Sequence, residues 1–324
     1  MKIPERLVVI MKNGEKIKAV MLGHAVGDAL GVPVEFCARK ELDENPVTDM
    51  MGFGSYPVPA GSWSDDTSMA LCALDSLKKG RIDYNEIMDN FVMWLSNDDY
   101  TPTGEAFDVG RTCLTAIRRY CRKDAPPALE CGLSEEDSNG NGSLMRIHPF
   151  VLYAYANDMP FAEWIKLVEN GSAITHAHER SKLGCLIYAF VLYHLLGDPN
   201  KDSIKLAIKR AEIHLSDSSE FVYYNRIFKS DFSSLDGEEI KSSGYIVDTL
   251  EAALWCVLTT NSYRECVLKA VNLGEDTDTV AAIAGSMAGV LYGYDSIPEA
   301  WLDKLKKRDY IEKMCEEAAE EWSN

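Results

Sequence analysis

The sequence predicts an all-α fold, and three observations predict it. Apolar residues recur at spacings of three and four through most of the chain, as a buried helix face requires. No stretch alternates apolar and polar residues with the period of two that marks a half-buried strand. Acid and hydroxyl residues stand just before several apolar runs, and glycine, proline or lysine just after them, as at helix starts and stops. With 324 residues the chain can bury a large core. No repeat of fixed period, low-complexity tract or linker divides it. It reads as one domain, 1–324, with residues 1–14 a short N-terminal extension.

The first helix is predicted over 15–31, where Ile17, Val20, Met21, His24 and Ala25 follow helical spacing and Gly27-Asp-Ala-Leu-Gly31 ends it. Pro33 disfavours α geometry at Val32. Residues 41–64 read as a loop, with Pro46, Gly52, Gly54, Pro57, Pro59 and Gly61. A loop this long in a compact domain is more often functional than idle. It delivers Trp63-Ser-Asp-Asp-Thr67 to a helix at about 66–79, stopped by Lys78-Lys79-Gly80. Further helices are predicted at 84–96, 105–121, 147–156, 161–170, 178–196, 202–214, 245–258, 263–272, 277–291, 298–306 and 309–322. Residues 216–243 are polar and rich in serine, and read as a helix plus an exposed loop.

The formal net charge is −18 and the isoelectric point near 4.8. Such a surface repels phosphate backbones and anionic lipid, which excludes general nucleic-acid or membrane binding. The longest apolar stretches, around 185–196 and 280–291, are too short to span a bilayer. Nine cysteines, an odd number, contain no Cys-x-x-Cys pair, so a structural zinc site is not expected. Cys72, Cys185 and Cys256 fall in apolar helical runs and read as buried free thiols of a reducing cytosol. The start, Met1-Lys-Ile-Pro-Glu-Arg, lacks the cleavage region of a signal peptide. The expected location is therefore cytoplasmic.

Five stretches carry candidate chemistry. Asn272-Leu-Gly-Glu-Asp-Thr-Asp-Thr279 precedes an Ala- and Gly-rich apolar run, which places carboxylates at a helix start where free N–H groups and the dipole favour them. Asp276 or Thr277 can simply cap that helix. Asp276, Asp278 and Thr279 also make a set of hard oxygen ligands suited to Mg²⁺ or Mn²⁺. Ser64-Asp65-Asp66-Thr67 repeats the arrangement far upstream. Adjacent carboxylates repel, and a shared cation is one reason to keep both.

In the first helix Gly23, Gly27 and Gly31 recur every four residues and strip one face for close helix packing. Asp28 lies among them and needs a partner once buried. Glu35, after the proline turn, can project into a cleft. Ser138-Asn-Gly-Asn-Gly142, ahead of Met145 and Arg146, reads as a turn presenting N–H groups to an anion, or as a plain Asn-Gly turn. It lacks the lysine of a phosphate-binding P-loop. Thr175-His-Ala-His-Glu-Arg180 has its histidines two apart, not the four of a zinc-protease helix. His176 reads as a substrate contact or a helix-entry residue. Phe107-Asp108-Val109-Gly110 carries little by itself.

In this order the motifs resemble the ADP-ribosylglycohydrolase family, over about 19–305. The resemblance rests on Gly27-Asp-Ala-Leu-Gly-Val-Pro-Val-Glu35, Trp63-Ser-Asp-Asp-Thr67, Gly140-Asn-Gly-Ser-Leu-Met-Arg146, Thr175-His176, Gly274-Glu-Asp-Thr-Asp-Thr279, Tyr292-Gly293, Ile297-Pro298 and Trp301. It implies a single orthogonal helical bundle around a cleft holding two Mg²⁺ or Mn²⁺ ions. Residue by residue, it assigns Ser64, Asp65, Asp66, Asp276, Asp278 and Thr279 to metal. Ser138, Asn139, Gly140, Asn141, Gly142 and Met145 are assigned to the diphosphate side of the substrate, with His176 and Glu35 also touching substrate. Glu35, Asp65 and Asp278 are the catalytic candidates. The sequence departs from many members at Ser64, where they have Thr, at Glu275, where several have Gly, and at His148, where a smaller residue is usual.

The implied activity is hydrolysis of the glycosidic bond at the anomeric carbon of an ADP-ribosyl group, through an oxocarbenium-like transition state. The substrate is an ADP-ribosylated protein, with arginine preferred, or a small ADP-ribosyl conjugate. Rival readings are a two-metal phosphoester hydrolase, a non-catalytic ADP-ribose-binding protein and a toxin-immunity protein.

Overall fold

In the computed structural model, which describes residues 13–322, helices follow one another with no strand among the described residues. Two isolated bridges, Leu133 with His176 and Gly140 with Tyr245, are the extended contacts between loops. The helices are α1 (Asn13–Gly31), α2 (Arg39–Glu44), α3 (Asp65–Leu77), α4 (Tyr84–Asn97), α5 (Arg111–Tyr120), α6 (His148–Ala156) and α7 (Phe161–Ala173). They continue as α8 (Glu179–Gly197), α9 (Lys201–Leu215), α10 (Ile246–Thr259), α11 (Tyr263–Val271), α12 (Thr277–Tyr292), α13 (Glu299–Lys304) and α14 (Arg308–Glu321). The expected N-terminal extension lies outside the described residues except for Asn13 and Gly14, which already belong to α1.

The centre of the molecule is the pair α1 and α12. Every residue of α1 from Ala19 to Gly31 is buried, so the helix has no solvent face to keep polar. The segment Asn13–Val34 is long and apolar enough to cross a membrane, but its most apolar 18-residue window is 94% buried inside this fold. The reading that no stretch reaches that length therefore missed it, because Asp28 and His24 interrupt the apolar run. Close packing comes from the bare face. A Cβ added at Gly27 would stand 2.1 Å from the Ala281 carbonyl oxygen, and one at Gly31 would stand 2.3 Å from Asp278 Cα. Gly23 meets Gly285 in the same way. Around this pair pack α3, α8, α10, α11 and α14. Each fully buried aliphatic side chain in that layer, such as Leu22, Leu71 or Ile187, contributes about 1.5–3 kcal/mol. All nine cysteines are free thiols, and of these Cys121 is exposed.

Three segments depart from the sequence expectation. The helix expected over 105–121 begins only at Arg111. Residues 101–108 are held as a loop instead, by Gly104 N–H donating to Thr101 Oγ1 at 3.1 Å and Ala106 N–H to Asp98 Oδ1 at 2.9 Å. Asp108 is in the left-handed region at φ 54°. Residues 41–64 are loop apart from the short α2 at their start. The polar segment 216–243 forms short 3₁₀ turns rather than an α-helix. Its end is tied to the core by Arg39, whose guanidinium donates to the carbonyls of Gly237, Ile240 and Leu273.

Candidate active site

The two acidic stretches, more than two hundred residues apart in sequence, meet at the N-terminal ends of α3 and α12. Thr279 Oγ1 lies 3.2 Å from Asp66 Oδ2, the same oxygen that Ser64 Oγ approaches at 3.2 Å. At α3 the capping reading holds in part, since Ser64 Oγ accepts the Asp66 N–H at 3.3 Å. At α12 it does not: Asp276 makes no side-chain cap. Its Oδ2 accepts instead from Asn141 Nδ2 at 2.8 Å. Glu35, Asp276 and Asp278 each bring a carboxylate oxygen within 4.8 Å of the others.

Both helix starts are fixed from α1. Asp28, the buried acid among the glycines, accepts the Ser64 N–H at 2.8 Å, the Thr67 N–H at 3.0 Å and the Thr67 hydroxyl at 2.6 Å. Its charge is thus spent on shaping the acidic turn. Thr277 Oγ1 donates to the Gly31 carbonyl at 2.8 Å. Glu35 is held by its backbone, with Phe36 N–H donating to Glu275 O at 2.7 Å and Glu275 N–H to Cys37 O at 2.8 Å. Glu275 sits at φ 62°, which accounts for glycine being common there, and its side chain is exposed and outside the cleft.

The acids open into a cleft of about 310 Å³. Glu35, Asp65, Asp66, Asp108, Asp276 and Thr279 line it, as do Gly140, Asn141, Gly142, Met145 and His176. Ser64 and Asp278 stand behind its surface, almost fully buried. Ser138 and Asn139 do not reach the cleft. Ser138 Oγ donates to Glu135 O, and Asn139 bonds Glu136 O and the Ser181 hydroxyl, so both side chains hold the loop together from within. Gly142 is required by space, because a Cβ there would come 2.8 Å from Cys113 Sγ and 3.0 Å from His176 Cε1. Arg146 Nη2 donates to Thr175 Oγ1 at 2.6 Å, and that hydroxyl pairs with His176 Nδ1 at 2.9 Å. Burial pushes the His176 pKa down to about 3, so the ring is neutral. His148 is also buried, with its ring 4.3 Å from that of His24.

The electrostatics are those of crowded like charge. Burial, then the charges of Asp108 and Asp276, pushes the Glu35 carboxyl up to about 10. Asp65, Asp66 and Asp278 are also raised well above the usual carboxylate range, in each case by burial first and by neighbouring carboxylates second. Buried oxygens remain without a hydrogen-bond partner at Glu35 Oε2, Asp66 Oδ1 and Asp278 Oδ2. Buried polar atoms are normally satisfied, so three orphan carboxylate oxygens in one place form a cluster that could hold a cation. The donor set of carboxylates and hydroxyls is all hard oxygen and fits Mg²⁺ or Mn²⁺.

A profile described as ADP-ribosylglycohydrolase matches residues 11–324. The chain belongs to the ADP-ribosylglycohydrolase family. It is 33% identical over 316 residues to an ADP-ribosylarginine hydrolase Tri1 of Serratia proteamaculans (strain 568), covering 97% of this chain and 81% of that one. It is 33% identical over 294 residues to the ADP-ribosyl-[dinitrogen reductase] glycohydrolase of Rhodospirillum rubrum, covering 90% of each. A solved ADP-ribosylglycohydrolase-related protein complex superposes with a TM-score of 0.79 at 30% identity, over 97% of this chain and 99% of that one. The all-helical expectation and the family expectation both hold, and the activity is glycohydrolytic removal of ADP-ribose.

Sequence reading undervalued two parts of this ADP-ribosylglycohydrolase site. Asp108 lines the cleft and adjoins Glu35 and Tyr56, although the apolar spacing of its stretch predicts a helix. Gly244 was passed over; a Cβ there would stand 2.9 Å from Asp276 Oδ2. The Asn-Gly turn and Gly244 are joined by Asn141 N–H donating to Gly244 O at 3.0 Å, a contact that no local pattern announces.

Proposed function

We propose that this chain cleaves the bond between ADP-ribose and the guanidinium of a modified arginine, with two divalent cations, Mg²⁺ or Mn²⁺, as cofactors. The observation that carries the cation reading is the convergence of Asp66, Asp276, Asp278 and Thr279 with orphan buried oxygens among them. The arginine preference is supported by the name of the Serratia relative, an ADP-ribosylarginine hydrolase. It is also supported by the acids Glu35, Asp65, Asp66, Asp108, Asp137 and Asp276 along the cleft, which suit a cationic leaving group.

In this reading Ser64, Asp65, Asp66, Asp276, Asp278 and Thr279 hold the cations. Bound there, they supply Lewis acidity at the ribose hydroxyls and offset the crowded negative charge. Gly140, Asn141 and Gly142 present the loop to the diphosphate, with Met145 and the His176 ring beside it. Ser138 and Asn139 keep the loop in shape. That binding, remote from the reacting bond, contributes to transition-state stabilisation by fixing the anomeric carbon over the acids. The C1–N bond breaks, the oxygen of water bonds to C1, and a proton from that water ends on the departing guanidine. Glu35, whose environment favours its protonated form, gives the proton to nitrogen, and Asp65, which bound cations would return to its carboxylate form, takes one from water.

The test is release of free ADP-ribose from ADP-ribosyl-agmatine with Mg²⁺ or Mn²⁺ present. Asp278→Asn is expected to lower kcat/KM by about a thousandfold or more. Intact turnover in that variant would remove Asp278 from the proposed roles, and release of AMP or phosphate would favour phosphoester hydrolysis instead.

A further inference from the structure

The two most exposed large apolar side chains among the described residues are Phe53, at 72%, and Phe36, at 71%. Both stand at left-handed backbone positions, with φ 57° and 67°. Neither placement is what folding would select. A left-handed position favours glycine or asparagine, and a phenylalanine ring gains its stability from burial. Strained backbone carrying exposed aromatic rings is a pattern of functional surfaces rather than of scaffolds.

One ring lines the active cleft, and the other is carried by the loop that lies against the same turn. Phe36 follows Glu35 and lines the cleft. Phe53 is outside the cleft, on a loop stapled to the same turn. Ser55 N–H donates to Pro33 O at 2.9 Å, and Ser55 Oγ donates to Glu35 O at 2.5 Å. A Cβ at Gly54 would overlap the Pro33 carbonyl, so the loop lies directly on that backbone. The Tyr56 ring packs on Phe107 at 5.0 Å, beside Asp108, and Met51, 44% exposed, is on the same loop. An apolar margin therefore adjoins the acids nearest the bond that is cut.

We infer that this margin, with Phe53 at its outer edge, docks the protein part of the substrate: an apolar patch on the acceptor protein beside its modified arginine. The inference rests on the glycohydrolase reading above and gives that site a macromolecular substrate. The cleft, at about 310 Å³, has the size of a small-molecule pocket, so an acceptor protein must lie across its edge. Continuity with the cleft argues for the acceptor as occupant rather than a second copy of this chain.

The experiment compares kcat/KM on two probes, actin ADP-ribosylated on arginine and ADP-ribosyl-agmatine, for the wild type, Phe53→Asn and Phe53→Tyr. Asparagine tolerates the left-handed backbone, so the variant removes the ring while keeping the loop. The expected result is a loss of about tenfold or more on modified actin, carried by KM, with less than a twofold change on the small conjugate. Phe53→Tyr, which keeps the ring, retains activity on both. Equal losses on both probes, or no loss on actin, overturns the docking role. An unchanged ratio with loss of self-association on sedimentation assigns the margin to a second copy, and also overturns it. If the wild type releases ADP-ribose from neither probe, the glycohydrolase reading itself fails and takes this proposal with it.

Discussion

The starts of α3 and α12 do the same job by different means. At α3 the acids are consecutive, Asp65 and Asp66, and the turn is shaped by side chains. Ser64 caps it, and the Asp28 carboxylate gathers two N–H groups and a hydroxyl from behind. At α12 the acids alternate, Asp276 and Asp278, and the turn is placed against the α1 backbone, with Gly31 in direct contact with Asp278 and the Thr277 hydroxyl donating to the Gly31 carbonyl. Both depend on α1, which contributes no proposed cation ligand. One helix with no solvent face thus sets the distance between the two halves of the site, through a carboxylate toward one and a missing Cβ toward the other.

The sharpest way to break the comparison is Gly31→Ala. The added methyl would meet Asp278 backbone at 2.3 Å with no flexible side chain to yield. The start of α12 must move, at about 3 kcal/mol or more of stability, and turnover should fall below detection. Denaturant unfolding together with single-turnover release checks both. An active, fully stable Gly31→Ala protein would mean that backbone contact does not position α12.

A smaller effect is expected at α3. Asp28→Asn keeps the shape but turns an NH₂ group toward donors that need an acceptor. The expected cost is about 1–3 kcal/mol, with cation affinity, read by isothermal titration, weakened by about 10–100-fold. Conversely, a loss in stability without any loss of cation affinity would separate Asp28 from the site and leave it a core residue.

The smallest effect is a pH slope in the cation-free protein. Asp28 is pushed up to about 7 and Glu35 to about 10, in both cases mainly by burial. The folded state holds these protons more tightly than the unfolded chain, whose ordinary values are 3.8 and 4.5. The resulting stability is complete below about pH 4 and is lost as pH rises through 7 and toward 10. Buried His24 and His176, both pushed down to about 3, act in the other direction, but only below about 6.5. Between pH 7 and 9 the melting temperature in chelator should therefore fall by a few degrees, and Mg²⁺ or Mn²⁺ should flatten the slope. A flat slope in chelator would show that the acids are not crowded.

Much of the site could be read locally because its chemistry is concentrated in short runs. Ser64–Thr67 and Asp276–Thr279 each combine carboxylates, a hydroxyl and a following apolar helix, and the glycines at 23, 27 and 31 announce a helix packed at backbone distance. The helix expected across Asp108 was misjudged because its apolar spacing is helical while two loop hydrogen bonds and a left-handed aspartate decide otherwise. Ser138 and Asn139 look like loop-tip ligands in sequence, yet their side chains turn inward to bond Glu135, Glu136 and Ser181.

By itself the sequence determined the helices, the two acidic turns and the glycine stripe, since periodicity, capping and the absence of a Cβ are local properties. Tertiary structure alone decided that Asp66 and Thr279 meet, that Asp28 serves the turn rather than the cleft, that Asp108 joins Glu35, and that Gly244 makes room for Asp276. The reason is physical: those contacts link residues far apart in the chain, and only the packing of α1, α3, α12 and the loops around them sets their distances.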